Sequence, residues 1–89
     1  MVSETLTIVN PSGLHLRPAG SLCKSALKYE SKINLIFGDI TANAKSVLSV
    51  LGACIKCGDQ VVLECNGKDE QEALLDLTNL IKSGFDELK

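Results

Sequence analysis

Apolar residues recur along this chain at two spacings that take turns, every second residue and every third or fourth, and this alternation constrains the fold more than any other feature. Residues 4 to 9, ETLTIV, alternate polar and apolar with Leu6 and Ile8 on one face, as a half-buried strand does. Asn10-Pro11-Ser12-Gly13 breaks the pattern, because proline donates no ladder hydrogen bond and glycine tolerates turn geometry. From Arg17 the spacing becomes Ala19, Leu22, Cys23, Ala26 and Leu27, one apolar stripe on an amphipathic helix. Pro18 is tolerated near the start of that helix, where the first amides have no helical acceptor.

Period two returns from Lys32 to Phe37, with Ile33, Leu35 and Phe37 on one face; Gly38-Asp39 turns the chain and Ile40-Thr41-Ala42 comes back as the second arm of a hairpin. Ser46 then precedes Val47-Leu48-Ser49-Val50-Leu51, a run of about two turns that reads as a short helix with Ser46 as its N-cap. Glycines at 52 and 58 bracket a loop, and Val61, Leu63 and Cys65 form the inward face of a further strand ended by Asn66-Gly67. Asp69-Glu70-Gln71-Glu72 resembles a capping box, its carboxylates facing the positive end of a helix dipole. Ala73, Leu74, Leu77, Leu80 and Ile81 supply that helix's buried stripe. The order is βαββαβα. An α+β fold that buries each stripe once is an open-faced sandwich, a four-stranded, mostly antiparallel sheet with the helices on one face. Its other face is expected to be wet, carrying Thr5, Thr7, Asn34, Gln60 and Glu64.

The 89 residues suffice for one unit, expected to span 1–89, and not for two. Hydrophobic residues make up 45% but aromatics only 3%, with no Trp, so the core is aliphatic and there is no stacking platform for single-stranded nucleic acid. A net charge of -2 gives no overall positive field to draw in a polyanion, so any anion recognition is local and no nucleic-acid partner is expected. The first residues, MVSETLTIV, lack the basic start and apolar run of a signal peptide, and no segment approaches the roughly 18 apolar residues of a membrane span. A cytoplasmic protein without membrane insertion is expected, its four cysteines reduced.

The chain's one histidine, His15, lies in SGLHLRPAG, immediately before the first helix. Backbone N–H groups there are unpaired and form a ready anion site, and Arg17 adds a planar fork suited to phosphate oxygens. Helix dipoles disfavour a cation at this end by about 0.3–1 kcal/mol, so Arg17 is misplaced unless something negative joins it. Imidazole can attack phosphorus and leave again, which suits a carrier. The bland alternative is a solvated loop histidine beside a solvated arginine.

GLHLRPAG at 13–20, NAKSVLSVL at 43–51 and NGKDEQEAL at 66–74 together resemble the HPr family, the histidine-containing phosphocarriers of the bacterial phosphoenolpyruvate:sugar phosphotransferase system. The resemblance covers essentially the whole chain and implies the same open-faced sandwich. It implies that His15 takes a phosphoryl group at Nδ1 from phospho-enzyme I and hands it to sugar-specific enzyme IIA components, with Arg17 positioning the phosphate. No cofactor or metal is implied, and a monomer is expected. Ser46 has two readings, a plain N-cap and, by the match of AKSVL to the family's regulatory segment, the substrate of an ATP-dependent HPr kinase/phosphorylase. In the second reading the added charge weakens docking of enzyme I and creates a contact for the catabolite control protein CcpA. Val47, Leu48 and Leu51 cannot all face inward with Val50 on so short a helix; they are either core or an exposed docking patch, and the resemblance favours docking.

Some residues depart from that pattern. Cys54-Ile-Lys-Cys57 stands where the family commonly has a glycine at the place of Cys54. A C-x-x-C pair is a redox couple or half a zinc site, but there is no second pair, and reduced loop thiols are expected. Cys23 and Cys65 read as small core residues. Gly20, inside the first helix, costs about 1 kcal/mol relative to Ala and either loosens the first turns or admits close packing. Leu16, where an alanine is often found, widens the apolar rim beside His15. Two further readings compete with the carrier: a purely regulatory module acting through Ser46 and its patch, and a thiol or metal domain built on Cys54 and Cys57.

Overall fold

The computed structural model describes residues 1–87. Strands β1 (Val2–Thr7), β2 (Lys32–Phe37), β3 (Ile40–Asn43) and β4 (Gln60–Asn66) alternate with helices α1 (Leu16–Ala26), α2 (Val47–Gly52) and α3 (Glu70–Lys82) in the order βαββαβα. A short 3-10 turn, Gly84–Asp86, follows α3. The sheet order is β1-β4-β2-β3, and all three pairings are antiparallel.

Register explains the core. Leu6 faces Val61, Ile33 faces Cys65 and Leu35 faces both Leu63 and Ala42, so each inward residue of one strand meets an inward residue of the next. All of these are buried, as are Ala19, Leu22, Cys23 and Ala26 of α1 and Ala73, Leu77 and Ile81 of α3. Cys23 and Cys65 are thus core residues, as expected. On the other face Thr5, Thr7 and Gln60 are exposed and Asn34 and Glu64 half-buried, the wet surface that alternation predicts.

Three expectations need correction. Leu27, assigned to the stripe of α1, is 61% exposed: the helix ends at Ala26 and Leu27 caps it, beyond the last turn that covers the sheet. Asp69 is the N-cap of α3, but no capping box forms. Its carboxylate instead accepts hydrogen bonds from Glu30 N–H (2.9 Å), Ser31 N–H (3.0 Å) and Ser31 Oγ (2.5 Å), tying α3 to the start of β2. Those bonds, the Ser31 hydroxyl foremost, hold the Asp69 carboxyl down to about 2. Glu70 reaches back to Gly67 N–H (3.1 Å) and pairs with the N-terminal ammonium (3.1 Å). The third correction concerns α3's stripe, which includes Thr78, 9% exposed, while Leu74 and Leu80 are only half-buried.

Gly20 does not admit close packing, since a Cβ there would meet nothing within 4 Å. Its cost is therefore the backbone entropy of a helical glycine alone. Gly20→Ala is expected to stabilise the chain by about 0.5–1 kcal/mol and to raise the thermal midpoint by roughly 2–8 °C in calorimetry. A lowered midpoint would show that the position is packed after all.

Candidate functional site

The site is set by a turn that can close only on glycine. Gly13 N–H donates to Asn10 O (3.1 Å), and Gly13 takes a φ of 63° that side chains rarely adopt. A Cβ on Gly13 would come within 2.7 Å of Ile55 O and Lys56 Cα, because the loop between α2 and β4 lies directly against it. Leu14 N–H donates to Ile55 O (3.0 Å), and both side chains are 3% exposed. The chain leaves this anchor as His15, the N-cap of α1, in an extended conformation (φ -76°, ψ -171°).

His15 is exposed and its side chain makes no capping hydrogen bond, so the imidazole is not committed to its own helix. Its carbonyl accepts the first helical bond, from Ala19 N–H (2.9 Å). The amides of Leu16 and Arg17 precede that bond and have no helical acceptor, and Pro18 has no N–H to add. Pro18 is buried, and Leu16, next in the chain to His15, is 63% exposed. His15 and Leu51 line a common cavity of about 490 Å³ together with Ser12, Leu14 and Cys54. An exposed imidazole, free helix amides and a nearby guanidinium together suit a nucleophile that must carry an anion.

Arg17 is 79% exposed, and its Nη2 lies 3.3 Å from Glu87 Oε2. Sequence reasoning missed Glu87. Its carboxylate gathers Ser12 Oγ (2.7 Å to Oε2), Ser12 N–H (3.2 Å) and Asn10 Nδ2 (3.1 Å), and Asn10 is fully buried. Phe85 and Asp86 deliver it there with φ of 53° and 67°, hooking the chain back while the Phe85 ring inserts into the core. The Ser12 hydroxyl, the Asn10 amide, the Ser12 N–H and lastly Arg17 hold the Glu87 carboxyl down to about 2. No local signal could reveal this contact, since Glu87 lies 70 residues from Arg17 in sequence.

Ser46 caps α2, its Oγ accepting from Ser49 N–H (3.2 Å). Beyond it Val50 is fully buried, Val47 and Leu51 are half-buried against the core, and Leu48 is 81% exposed. The structure thus joins Leu51 to the histidine cavity, and Ser46, Val47 and Leu48 lie outside its lining. Cys54 and Cys57 are exposed and unbridged, and no group of three or more His, Cys, Asp or Glu that could hold a metal converges among the described residues.

A folded-state carboxyl held below its unfolded value of 4.5 adds stability above that pH and loses it as the pH falls towards 2. In denaturant titrations the native chain is expected to exceed Glu87→Gln in stability at pH 7, with the gap closing between about pH 4.5 and pH 2. A gap independent of pH would show that the Glu87 charge does not anchor this turn.

Comparison with known proteins supplies the family. A family model described as the phosphorylation site of the HPr component of the phosphotransferase system matches residues 2–83. The phosphocarrier protein HPr of Treponema pallidum is 36% identical over 87 residues, 98% of this chain and 99% of that protein. Among solved structures, an HPr from Thermoanaerobacter tengcongensis superposes with a TM-score of 0.96 at 36% identity, covering 100% of both chains. Crh, the catabolite repression protein of Bacillus subtilis, described as a swapped, intertwined dimer, superposes with a TM-score of 0.76 at 30% identity over 94% of this chain and 97% of its own. The chain belongs to the HPr family of phosphocarrier proteins of the phosphotransferase system.

Proposed function

We propose that this phosphocarrier works through His15, which accepts a phosphoryl group at Nδ1 from phospho-enzyme I and passes it to enzyme IIA components in the cytoplasm, as a single unit and a monomer. The observation that carries this reading is that the chain's one histidine is an exposed N-cap whose side chain makes no capping hydrogen bond, with two helix amides behind it that have no helical acceptor. On uptake the Nδ1 lone pair forms the N–P bond as the donor's bond to phosphorus breaks and its electron pair leaves with the donor; on onward transfer the acceptor's lone pair attacks phosphorus, the N–P bond breaks and its electron pair returns to Nδ1. Arg17 supplies charge to the bound phosphate. It is engaged through Nη2 by Glu87 at 3.3 Å, which leaves its other donors for phosphate oxygens. A phosphate on His15 thereby adds a second negative group for a cation at the start of α1 that Glu87 already partly balances.

Val47, Leu48 and Leu51 form the docking surface for enzyme I, the HPr kinase/phosphorylase and CcpA in this reading. The near-complete exposure of Leu48 and the presence of Leu51 in the histidine cavity support it. Ser46, one residue before that surface, is the regulatory position, phosphorylated by an HPr kinase/phosphorylase and read by CcpA. A phosphate there stays at the amino end of α2, so it is compatible with the helix and acts on docking. Similarity to Crh, a protein named for catabolite repression, supports this regulatory branch.

Incubation with enzyme I and phosphoenolpyruvate is expected to place an acid-labile, base-stable phosphate on the native chain and none on His15→Ala; a phosphate that survives the substitution overturns the reading. Arg17→Ala is expected to slow uptake on the order of 10²–10³-fold, the loss usual for a preorganised charge donor. Ser46→Asp is expected to slow uptake by about tenfold with the loss reduced by added salt, as for a like charge placed at an interface.

A further inference from the structure

The segment Cys54-Ile55-Lys56-Cys57 has no part in the carrier reading, yet its first three residues line the cavity that holds His15. Cys54 and Cys57 are exposed and unbridged, whereas Cys23 and Cys65 are buried, so a solution reagent meets only this pair. Cys54 sits just past the cap of α2 with a φ of 54°, where a helix end favours glycine, and lines the cavity that His15 lines. Between the two thiols, Ile55 O accepts Leu14 N–H, and the backbone of 55–57 lies so close to Gly13 that no side chain fits between them. A group attached to Cys54 therefore stands beside the imidazole. A change in the path of 55–57 is transmitted through Leu14 to the next residue, which is His15.

We propose that Cys54 and Cys57 form a thiol couple through which a low-molecular-weight disulfide switches off the histidine site, an inference about regulation that rests on the carrier reading above. The Cys54 thiolate attacks one sulfur of the disulfide; that S–S bond breaks, and its electron pair leaves with the other sulfur, which takes up the proton that Cys54 lost. The resulting mixed disulfide puts the small thiol's body into the cavity beside His15. The Cys57 thiolate then attacks Cys54 Sγ and expels the second small thiol, again with one proton. Two protein thiols are oxidised to one disulfide, and the external disulfide is reduced to two thiols. The bridge confines the Cα atoms of 54 and 57 to within about 7 Å of each other and constrains the backbone that holds Gly13 and Leu14. Reduced thiol in excess reverses both steps, so the couple follows the cell's thiol poise.

The test treats the full chain with glutathione disulfide, identifies the products by intact mass, and follows two readouts, phosphate uptake from enzyme I with phosphoenolpyruvate and the imidazole NMR signals of His15. Oxidation is expected to slow uptake on the order of 10²-fold, the scale of a misplaced reacting group, and to shift the His15 signals, with dithiothreitol restoring both. Cys57→Ser is expected to stop at the mixed disulfide and remain inhibited. Cys54→Ser is expected to show the same uptake and the same His15 signals with or without oxidant. An oxidised chain with unchanged uptake and unshifted His15 signals overturns the proposal, as does inhibition that persists in the double variant Cys54→Ser, Cys57→Ser. Failure of the reduced chain to take up phosphate counts against the His15 reading alone, and the His15 signals then decide the thiol couple.

Discussion

The contact between Gly13 and the backbone of residues 55–57 holds the functional end of the molecule together. Only hydrogen in place of a side chain lets two loops approach so closely, and the hydrogen bond from Leu14 to Ile55 converts that approach into a fixed register. Because Leu14 and Ile55 are both buried, the anchor is part of the core, and His15 leaves it in a single direction at the head of α1. A reactive side chain set on a packed base needs no further partner to hold its place, which leaves the imidazole free for its own chemistry.

Two carboxylates each gather several long-range hydrogen bonds. Asp69 ties the start of α3 to the residues entering β2, and Glu87 ties the end of the described chain to the turn before His15. In both, a serine supplies hydroxyl and amide to one carboxylate, and the charge is held by hydrogen bonds more than by a counter-ion. Glu87 also places a negative charge against Arg17, so the cation at the start of α1 is partly balanced with no phosphate bound. The hook that brings it there, with Phe85 buried and left-handed, shows that core burial positions this polar group.

Much of this was legible because period and burial are local codes. Leu6, Ile33, Leu35, Val61 and Leu63 announce their face by alternation, and Ser46 announces its cap by the helix that follows. The limits of that code are equally physical. Leu27 continues the stripe of α1 on paper, but the helix stops one residue earlier, and periodicity does not say where a helix leaves the sheet. Asp69 reads as a capping residue since its own helix is the only partner visible in sequence, while the fold offers three donors from residues 30 and 31. Gly20 and Gly13 look alike as letters, yet one faces open space and the other a neighbouring backbone.

Sequence alone determined the order of strands and helices, the faces they bury, and the placement of a single histidine before a helix with an arginine in its first turn. These follow from side-chain spacing and backbone chemistry within a few residues. Tertiary structure alone decided that Glu87 meets Arg17, that the loop after α2 walls the histidine site, that Leu51 joins His15 while Leu48 stands in solvent, and that Cys54 faces the same cavity. Each of those contacts joins segments far apart in the chain, and loop closure carries no periodic signature; only burial of the shared aliphatic core brings them together.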